Sequence, residues 1–357
     1  MKKRIGILTG GGDCPGLNAA IRGVAKAAYE SMEDVEIIGV QDGLLGLIEG
    51  QYRKMKPEEF SGILTKGGTI LGVVRQSFKT ISRVGEDKID RVKLMMRNYE
   101  EMKLDCLVML GGNGTHKTAG LLSEKGLNIL GLPKTIDNDL YGTDVTFGFH
   151  SALDIATDII DRIHTTADSH GRVMIVEIMG NKAGWLALNA GVAGGADVIL
   201  LPEIPYDPKK VLKAIRRRAE NGKDFTIIAM AEGAFTQEMA QLKKKERERL
   251  MAENPLTVSQ ILSAYIQKEG GVEARAVIPG HIQRGGSPSA YDRVLSTQFG
   301  IHAAELIRAD KYGYSIALKD GRITHNPLSE IAGKSKLVPP DHPMVQAARA
   351  IGISFAD

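Results

Sequence analysis

Two carboxylates, a hydroxyl and a lysine are packed into one short stretch of the sequence, residues 133–139 (PKTIDND). The stretch follows an apolar run at 128–132 that predicts a buried strand, and open α/β sheets bind their ligands at the carboxyl ends of parallel strands. As alternate residues of an extended segment, Asp137 and Asp139 are expected to point in opposite directions. One acid could then accept a proton from a substrate hydroxyl while the other faces a metal ion or a backbone N–H. An Asx-rich turn without chemistry is the alternative interpretation.

Two glycine-rich turns have the composition of phosphate-binding loops. They lie at residues 9–21 (TGGGDCPGLNAAI) and 111–117 (GGNGTHK), each between a predicted strand and a helical pattern. Glycine lets the backbone approach a ligand, and a helix N-terminus offers unpaired N–H groups to an anion. The first turn misses the dinucleotide fingerprint by one position, and Asp42 follows the second predicted strand, so an NAD-dependent dehydrogenase is an alternative. A tight turn without a ligand is another, but two such turns together predict a polyphosphate.

A fourth element, residues 280–293 (GHIQRGGSPSAYDR), sets His281 and Arg284 three apart beside a glycine turn. Such a pair could grip the phosphate of a sugar phosphate, with the arginine forming bidentate hydrogen bonds. A surface turn is the alternative. Arg172 and Arg275, taken in isolation, have the character of ordinary surface charges.

Short apolar runs alternate with longer amphipathic segments, which predicts a mostly parallel sheet covered by helices. The predicted strands are 4–8, 35–40, 106–110, 128–132, 173–178, 198–201 and 225–231. Helical spacing is clearest over 151–164, where six apolar residues share one face. The charge run at 237–254 is interpreted as a solvated helix with alternating signs, and a nucleic-acid patch is its alternative.

The chain has 357 residues, 43% of them apolar and 25% charged, so it is expected to form two ordinary domains or one large α/β body. The net charge is +3, and its dispersion argues against a nucleic-acid partner or a membrane surface. Two cysteines cannot form a framework of several bridges, and no apolar stretch approaches a membrane span. These features predict a cytoplasmic protein.

Four elements in this order resemble the 6-phosphofructokinase family. The matching segments, which stand at the family's spacing, are GGDCPGLNAAIRG at 11–23, KTIDNDL at 134–140, VEIMG at 176–180 and GHIQRGGSP at 280–288. The similarity extends over roughly residues 3–333. It implies phosphorylation of fructose 6-phosphate at its 1-hydroxyl to fructose 1,6-bisphosphate, a step of glycolysis, with Mg-ATP as donor.

The resemblance also implies two Rossmann-like three-layer αβα domains with the active site in the cleft between them. The donor-binding domain is expected at 1–148 with about 284–333, and the fructose 6-phosphate domain at about 149–283 with 334–357. A homo-oligomer that shares its active sites, expected to be a tetramer, is implied as well.

Carried over residue by residue, the resemblance makes Asp137 the base, with Thr135, Arg75 and Lys134 supporting catalysis. The implied donor contacts are Gly11, Arg75, Gln76, Gly112, Asn113, Gly114 and Thr115. The implied sugar-phosphate contacts are Thr135, Asp137, Asp139, Met179, Gly180, Asn181, Glu232, His281 and Arg284, with Arg172 and Arg275 from a neighbouring subunit. Mg²⁺ is expected at Asn113 and Asp139.

The sequence departs from the family's usual pattern at several positions. Asn113 replaces a carboxylate associated with Mg²⁺, and Asn181 stands where the common bacterial form has an arginine. Pyrophosphate-using relatives carry an acidic residue at the position of Gly114 and a lysine at that of Lys134, whereas ATP-using prototypes have glycine at both. The absent side chain at Gly114 leaves room for a nucleotide, which favours ATP over the alternative, a pyrophosphate-dependent enzyme.

Overall fold

The structure is a computed structural model that describes residues 2–85 and 88–357. The chain divides into two compact units. The first unit comprises Met1–Ser151 and Arg284–Lys336, and the second comprises Ala152–Gln283 and Leu337–Asp357. Each unit is therefore built from two separate stretches of chain.

The elements follow one another in the alternating order that the sequence predicts. In chain order they are β1 (Lys3–Thr9), α1 (Leu17–Ser31), β2 (Val35–Val40), α2 (Leu44–Glu49), β3 (Tyr52–Met55), α3 (Phe78–Ile81), α4 (Arg91–Glu101), β4 (Cys106–Gly111), α5 (Asn113–Glu124), β5 (Ile129–Pro133), α6 (Phe149–His170), β6 (Val173–Ile178), α7 (Trp185–Ala193), β7 (Val198–Leu200), α8 (Pro208–Glu220), β8 (Thr226–Ala231), α9 (Gln237–Ala240), α10 (Lys244–Glu253), α11 (Val258–Gly270), β9 (Ala274–Val277), α12 (Ala290–Arg308), β10 (Tyr314–Lys319), β11 (Arg322–Pro327), α13 (Leu328–Ile331) and α14 (Pro343–Ala350). Two 3₁₀ helices span Pro57–Phe60 and Gly280–Arg284.

The first unit is organised around a seven-stranded sheet. Its strand order is β11-β10-β5-β4-β1-β2-β3, in which the five inner strands run parallel and the two edge strands, β3 and β11, run antiparallel to their neighbours. Helices α2, α4 and α5 contribute to an apolar cluster with one face of this sheet. Strand residues that alternate with that cluster, such as Ile5, Ile7 and Ile37, are fully buried on the other face. The predicted three-layer arrangement is confirmed.

The second unit holds a smaller sheet whose four strands, in the order β7-β8-β6-β9, are all parallel. Its strands β6 and β8 are almost continuous apolar runs, and every residue of β8 is buried. A strand of this kind needs helices on both sides, since it offers no polar face to water. The second unit is therefore also an α/β domain, as predicted.

Several predicted elements coincide with the observed ones. Strands β2 and β6 have the predicted bounds, and the other predicted strands differ by one residue at one or both ends. The charge run at 237–254 folds into the short helices α9 and α10, which have no buried residue. This burial pattern agrees with the solvated helical segment that the sequence predicts here.

Asn98 joins two helices of the first unit through the interior. It lies on α4 with 2% of its surface exposed, and its Nδ2 donates to the carbonyl oxygens of Leu47 at 2.9 Å and Ile48 at 2.8 Å. These carbonyls belong to the last turn of α2, where no intrahelical donor remains. The Asn98 amide therefore satisfies the end of a neighbouring helix.

Replacing Asn98 by alanine is expected to destabilise the first unit by about 1–3 kcal/mol, because two buried carbonyls lose their donor. The shift in the urea midpoint measures this effect. Asn128 is the matched control, since its Nδ2 donates to the Asp105 carbonyl at a similar 2.8 Å but on an exposed surface. N128A should cost far less, and equal losses in the two variants would contradict the role given to burial.

The two cysteines are free thiols and both are fully buried. Sγ of Cys14 donates to the backbone oxygen of Phe147 at 3.6 Å, and burial raises the pKa of this thiol to about 12. Among residues 2–85 and 88–357, no helix combines the length and the apolar character needed to cross a bilayer.

Candidate active site

The first glycine turn leaves β1 at Thr9 and enters α1 through Gly16, whose φ of 104° is left-handed. Two guanidinium groups approach the bare face of Gly12. A Cβ added there would lie 3.0 Å from Nη2 of Arg75 and 3.2 Å from Nη1 of Arg284. A side chain at this position would press on both guanidinium groups, so glycine favours their close approach and the turn acquires a cationic surface suited to phosphate.

Arg284 belongs with this turn in the first unit. Its Nη1 donates to the backbone oxygen of Asp13 at 3.3 Å, and its Nε is shielded from solvent with no hydrogen-bond partner in the described part of the chain. The sequence singled out Arg284 as a ligand of the sugar phosphate, and the structure sets it against the first glycine turn. Its Nε is therefore an unsatisfied buried donor beside this turn.

Lys134 reaches the same turn from strand β5, which ends one residue earlier. The side chain is buried, with 3% exposed, and its ammonium group donates to the carbonyl of Gly12. Burial lowers the pKa of Lys134, and the nearby Arg284 guanidinium lowers it further. The ammonium group of Lys134 thus stabilises the glycine turn through this hydrogen bond.

Asp137 follows Lys134 by three residues and lies in its electrostatic reach. One carboxylate oxygen, Oδ1, is shielded from solvent and has no hydrogen-bond partner among the described residues. Burial raises the pKa of this carboxyl and the Asp139 carboxylate adds to the rise, while Arg284 and Lys134 oppose it, so that the pKa lies at about 6. A buried carboxylate with a free lone pair and a pKa near neutrality has the properties of a general base.

The segment that carries Asp137 departs from the extended form expected from its sequence. Asn138 has a left-handed φ of 51°, so the alternation of a β-strand does not hold between Asp137 and Asp139. The two carboxylates interact electrostatically instead of being separated. Asn138 is stabilised in this conformation by its side chain, since Oδ1 accepts from the backbone N–H of Thr146 at 3.1 Å.

The pH dependence of turnover follows from this raised pKa. A general base must be ionised to accept a proton, so for Asp137 in that role we expect kcat/KM to fall as the pH drops through about 6. Removing the neighbouring charge in D139N should move this acid limb to lower pH, because the like charge that opposes ionisation of Asp137 is gone. Profiles of kcat/KM against pH measure the limb, and an NMR titration of the Asp137 carboxyl in the metal-free protein measures its pKa directly. An unmoved limb in D139N would mean that another group sets it.

The second glycine turn forms the start of helix α5, which begins at Asn113 with Gly112 as its N-cap. At the start of a helix the first backbone N–H groups have no intrahelical partner, so they can bind an anion. Thr115 is buried and packs so closely on Gly10 and Gly111 that a Cβ at either glycine would collide with it. Gly114 is exposed, and a Cβ there would meet nothing within 4 Å.

Asn113 is tied to a distant part of the chain. Its Nδ2 donates to the backbone oxygen of Lys334 at 3.1 Å and to Oγ of Ser335 at 3.0 Å. Its Oδ1 is shielded from solvent without a hydrogen-bond partner in the described residues. An ionised aspartate could not donate these hydrogen bonds, which explains why the structure favours an amide at this position.

A separate group of predicted residues lies in the second unit, around Glu232. Oε1 of Glu232 accepts from the backbone N–H groups of Gly180 at 3.2 Å and Asn181 at 2.7 Å. The N–H of Met179 donates to Oε1 of Gln283 at 3.2 Å. The turn after β6 is therefore shaped by two polar side chains from elsewhere in the unit.

Arg172 and Arg275 share one acidic partner. Nε of Arg172 lies 2.8 Å from Oε2 of Glu273, and Nη2 of Arg275 lies 2.7 Å from its Oε1. Both arginines retain exposed surface on the second unit, as does His281. Of the other predicted residues, Gln76 is half-buried in the first unit and Thr135 is buried, with its Oγ1 accepting from the N–H of Asp137 at 3.0 Å.

Two residues that the sequence did not single out contribute to these sites. Gln283 is fully buried, and it lies within the GHIQRGGSP segment, so its position in that motif was an available signal. Lys336 donates to the loop that follows Asp137, and no local pattern marks it because its partners lie nearly 200 residues earlier.

Two α/β domains with mostly parallel sheets, one of which sets a cationic glycine turn beside a buried carboxylate, are typical of the doubly wound α/β proteins that handle phosphorylated ligands. A family model described as Phosphofructokinase matches residues 4–307. The chain belongs to the phosphofructokinase family, as its sequence motifs predicted. This membership decides against the dehydrogenase interpretation of the first turn.

Relatives of high similarity cover nearly the whole chain. The chain is 53% identical to the ATP-dependent 6-phosphofructokinase of Spirochaeta thermophila, with 99% of this chain and 98% of the relative aligned. It is 48% identical to ATP-dependent 6-phosphofructokinase 3 of Bacteroides thetaiotaomicron over 99% of both. The solved Pichia pastoris phosphofructokinase in the T-state is similar with a TM-score of 0.79 and 30% identity, over all of this chain and 37% of the yeast chain.

Proposed function

We propose that the protein is an ATP-dependent 6-phosphofructokinase that phosphorylates fructose 6-phosphate at its 1-hydroxyl. The names of the two bacterial relatives support ATP as the donor. The single observation that carries the chemistry is the buried, unpartnered Oδ1 of Asp137, whose pKa is raised to about 6. The product, fructose 1,6-bisphosphate, makes this a step of glycolysis.

In the proposed reaction, Asp137 accepts the proton of the sugar 1-hydroxyl. The sugar oxygen forms a bond to the γ-phosphorus while the bond from that phosphorus to the β,γ-bridging oxygen breaks, and ADP leaves. Arg75 at the first glycine turn stabilises the charge of the transferred group. Lys134 fixes the turn and adds to the positive potential.

Mg²⁺ is proposed as the cofactor, held by Asn113 and Asp139 together with donor phosphate oxygens. In the described part of the chain, no group of three or more His, Cys, Asp or Glu side chains is arranged to hold a metal ion. This donor set fits Mg²⁺, which is commonly bound through one or two protein oxygens plus substrate phosphates. The unpartnered Oδ1 of Asn113 supports the assignment. When bound there, Mg²⁺ would supply positive charge to the phosphate oxygens.

The donor pocket is proposed to lie in the first unit, along residues 11–12, Arg75, Gln76 and the turn at 112–115. The open space at Gly114 supports a nucleotide, since nothing there crowds the α-phosphate. Lys134, the feature shared with pyrophosphate-using relatives, has its ammonium group bound to the Gly12 carbonyl. Its positive charge therefore lies at the glycine turn, where it would attract the phosphates of ATP and of pyrophosphate alike.

Fructose 6-phosphate is proposed to bind Met179, Gly180, Asn181 and Glu232 of the second unit, together with His281 and Arg284. Arg172 and Arg275 are proposed to reach this sugar phosphate from a neighbouring subunit of a homotetramer. The support is that both arginines lie on one exposed patch around Glu273. We propose that the first unit binds the donor and the second binds the sugar phosphate. Their boundaries, after Ser151 and after Lys336, lie three residues beyond those expected after 148 and 333.

The test supplies ATP and pyrophosphate separately with fructose 6-phosphate and Mg²⁺, and measures fructose 1,6-bisphosphate in a coupled assay. We expect kcat/KM with ATP to exceed that with pyrophosphate. A higher value with pyrophosphate would overturn the donor, and no product with either donor would overturn the enzyme assignment.

A further inference from the structure

A short segment at residues 334–336, here called the clamp segment, contacts the loop that carries the proposed base. The ammonium group of Lys336 donates to three oxygen atoms of this loop. They are Oδ1 of Asn138 at 3.0 Å and the backbone oxygens of Thr143 at 2.9 Å and Asp144 at 2.7 Å. Lys336 is half-buried, so a flexible side chain has been immobilised at an entropic cost.

The backbone of the clamp segment also contacts the loop that carries Asp137. The N–H of Lys336 donates to the carbonyl of Asp139 at 2.8 Å, and Ser335 forms an antiparallel bridge with Leu140. The loop is therefore held through its backbone as well as through the amide of Asn138. Asn138 is the residue with the left-handed φ, which is the conformation that sets the direction of the chain between the two acids.

The other side of the clamp segment holds the second glycine turn. Nδ2 of Asn113 donates to the carbonyl of Lys334 and to Oγ of Ser335. Three successive residues thus connect the start of helix α5 with the loop of Asp137. These two parts of the first unit carry, respectively, a proposed donor contact and the proposed base.

We infer that Lys336 is a positioning residue, whose ammonium group fixes the Asp137 loop at the distance from the α5 turn that phosphoryl transfer requires. The inference rests on the proposed function. Hydrogen bonds from a charged donor to three acceptors are strong and directional, so they define one loop conformation. Without them, the loop keeps its fold through the backbone contacts but samples other positions of the carboxylate.

The test compares K336A and K336M with the matched control K334A. Lys334 lies in the same segment, and its exposed ammonium group lies 5.4 Å from the centroid of the Tyr141 ring. K334A therefore removes a cation close to the loop without removing any of the three hydrogen bonds that Lys336 donates to it. We expect K336A and K336M to lower kcat by about 100-fold, the typical cost of a misplaced catalytic group, with each KM changed less than about threefold. K334A should retain wild-type kcat.

Chemical rescue separates positioning from general destabilisation. Ethylammonium can occupy the space left in K336A and donate to the same oxygens, so we expect it to restore kcat by at least about tenfold. Tetramethylammonium has the same charge and no N–H, and it should not rescue. If K336A does not fold, K336M gives the same comparison of kcat with KM.

The outcomes are distinct. Wild-type kcat in K336A or K336M, a loss expressed only in KM, or equal rescue by both ammonium ions would overturn the role of Lys336. If the wild-type protein and K334A form no fructose 1,6-bisphosphate from ATP, the proposed function fails instead.

Discussion

Replacing Asp137 by asparagine is expected to lower kcat by about 10³-fold, within the range that a general base contributes. The amide has nearly the same size but cannot accept the proton of the sugar hydroxyl. The KM for each substrate should change little, because the asparagine side chain fills the same space. Steady-state kinetics with ATP and fructose 6-phosphate measure both quantities.

The same substitution should stabilise the protein, which excludes misfolding as the cause of the lost activity. Because the folded-state pKa of Asp137 is raised from 3.8 to about 6, the folded protein binds this proton more tightly than the unfolded chain does. The contribution of this carboxyl to stability is therefore lost as pH rises through that window. At pH 7, D137N removes the cost of the buried charge, worth up to about 3 kcal/mol.

A thermal midpoint that rises in D137N while kcat falls would agree with this assignment. Wild-type turnover in D137N would refute Asp137 as the base. A lower midpoint would mean that the carboxylate is better compensated by Arg284 and Lys134 than its surroundings indicate. The exposed Asp34 offers a control position, at which the same change should affect neither quantity.

Introducing aspartate at Gly114 is expected to reduce kcat/KM for ATP by about 100-fold, since like charges a few ångströms apart near a surface repel by several kcal/mol. The fold should tolerate the change, because a Cβ at Gly114 meets nothing within 4 Å and an acidic residue suits the first turn of a helix. The ratio of ATP to pyrophosphate activity should fall as well, because only the nucleotide carries an α-phosphate.

Two matched variants separate charge from size at this position. G114N adds the same volume without the charge and is expected to lose about tenfold or less, and G114A should stay near wild type. Equal losses in G114D and G114N would show that bulk alone excludes the nucleotide. Unchanged ATP kinetics in G114D would place the donor away from the α5 turn.

Much of the fold could be predicted from the sequence because parallel strands buried on both faces are continuous apolar runs. β2 and β6 were predicted to the residue for this reason. The antiparallel edge strands were not found. β3 is four residues long with only one of them buried, and β11 has one buried residue in six, so neither produces an apolar run.

The residues of the candidate site divide in the same way. Asp137, Lys134 and the glycine turns lie in compact motifs, so their residue types pointed to phosphate chemistry before any coordinates. The left-handed conformation of Asn138 could not be predicted, because the backbone conformation of a single polar residue leaves no periodic signal in the sequence. The contacts of Lys336 could not be predicted either, since long-range hydrogen bonds cannot be read from neighbours in the sequence.

Because Cys14 is buried, its reactivity reports movements of the first glycine turn, to which it belongs. This thiol lies two residues after Gly12 and is fully covered, so a thiol reagent can reach it only when the turn lifts away from Phe147. The rate of its alkylation in the native state therefore measures how often the turn opens. A nucleotide that stabilises the closed turn would protect the sulfur, and the degree of protection would report donor binding without any measurement of catalysis.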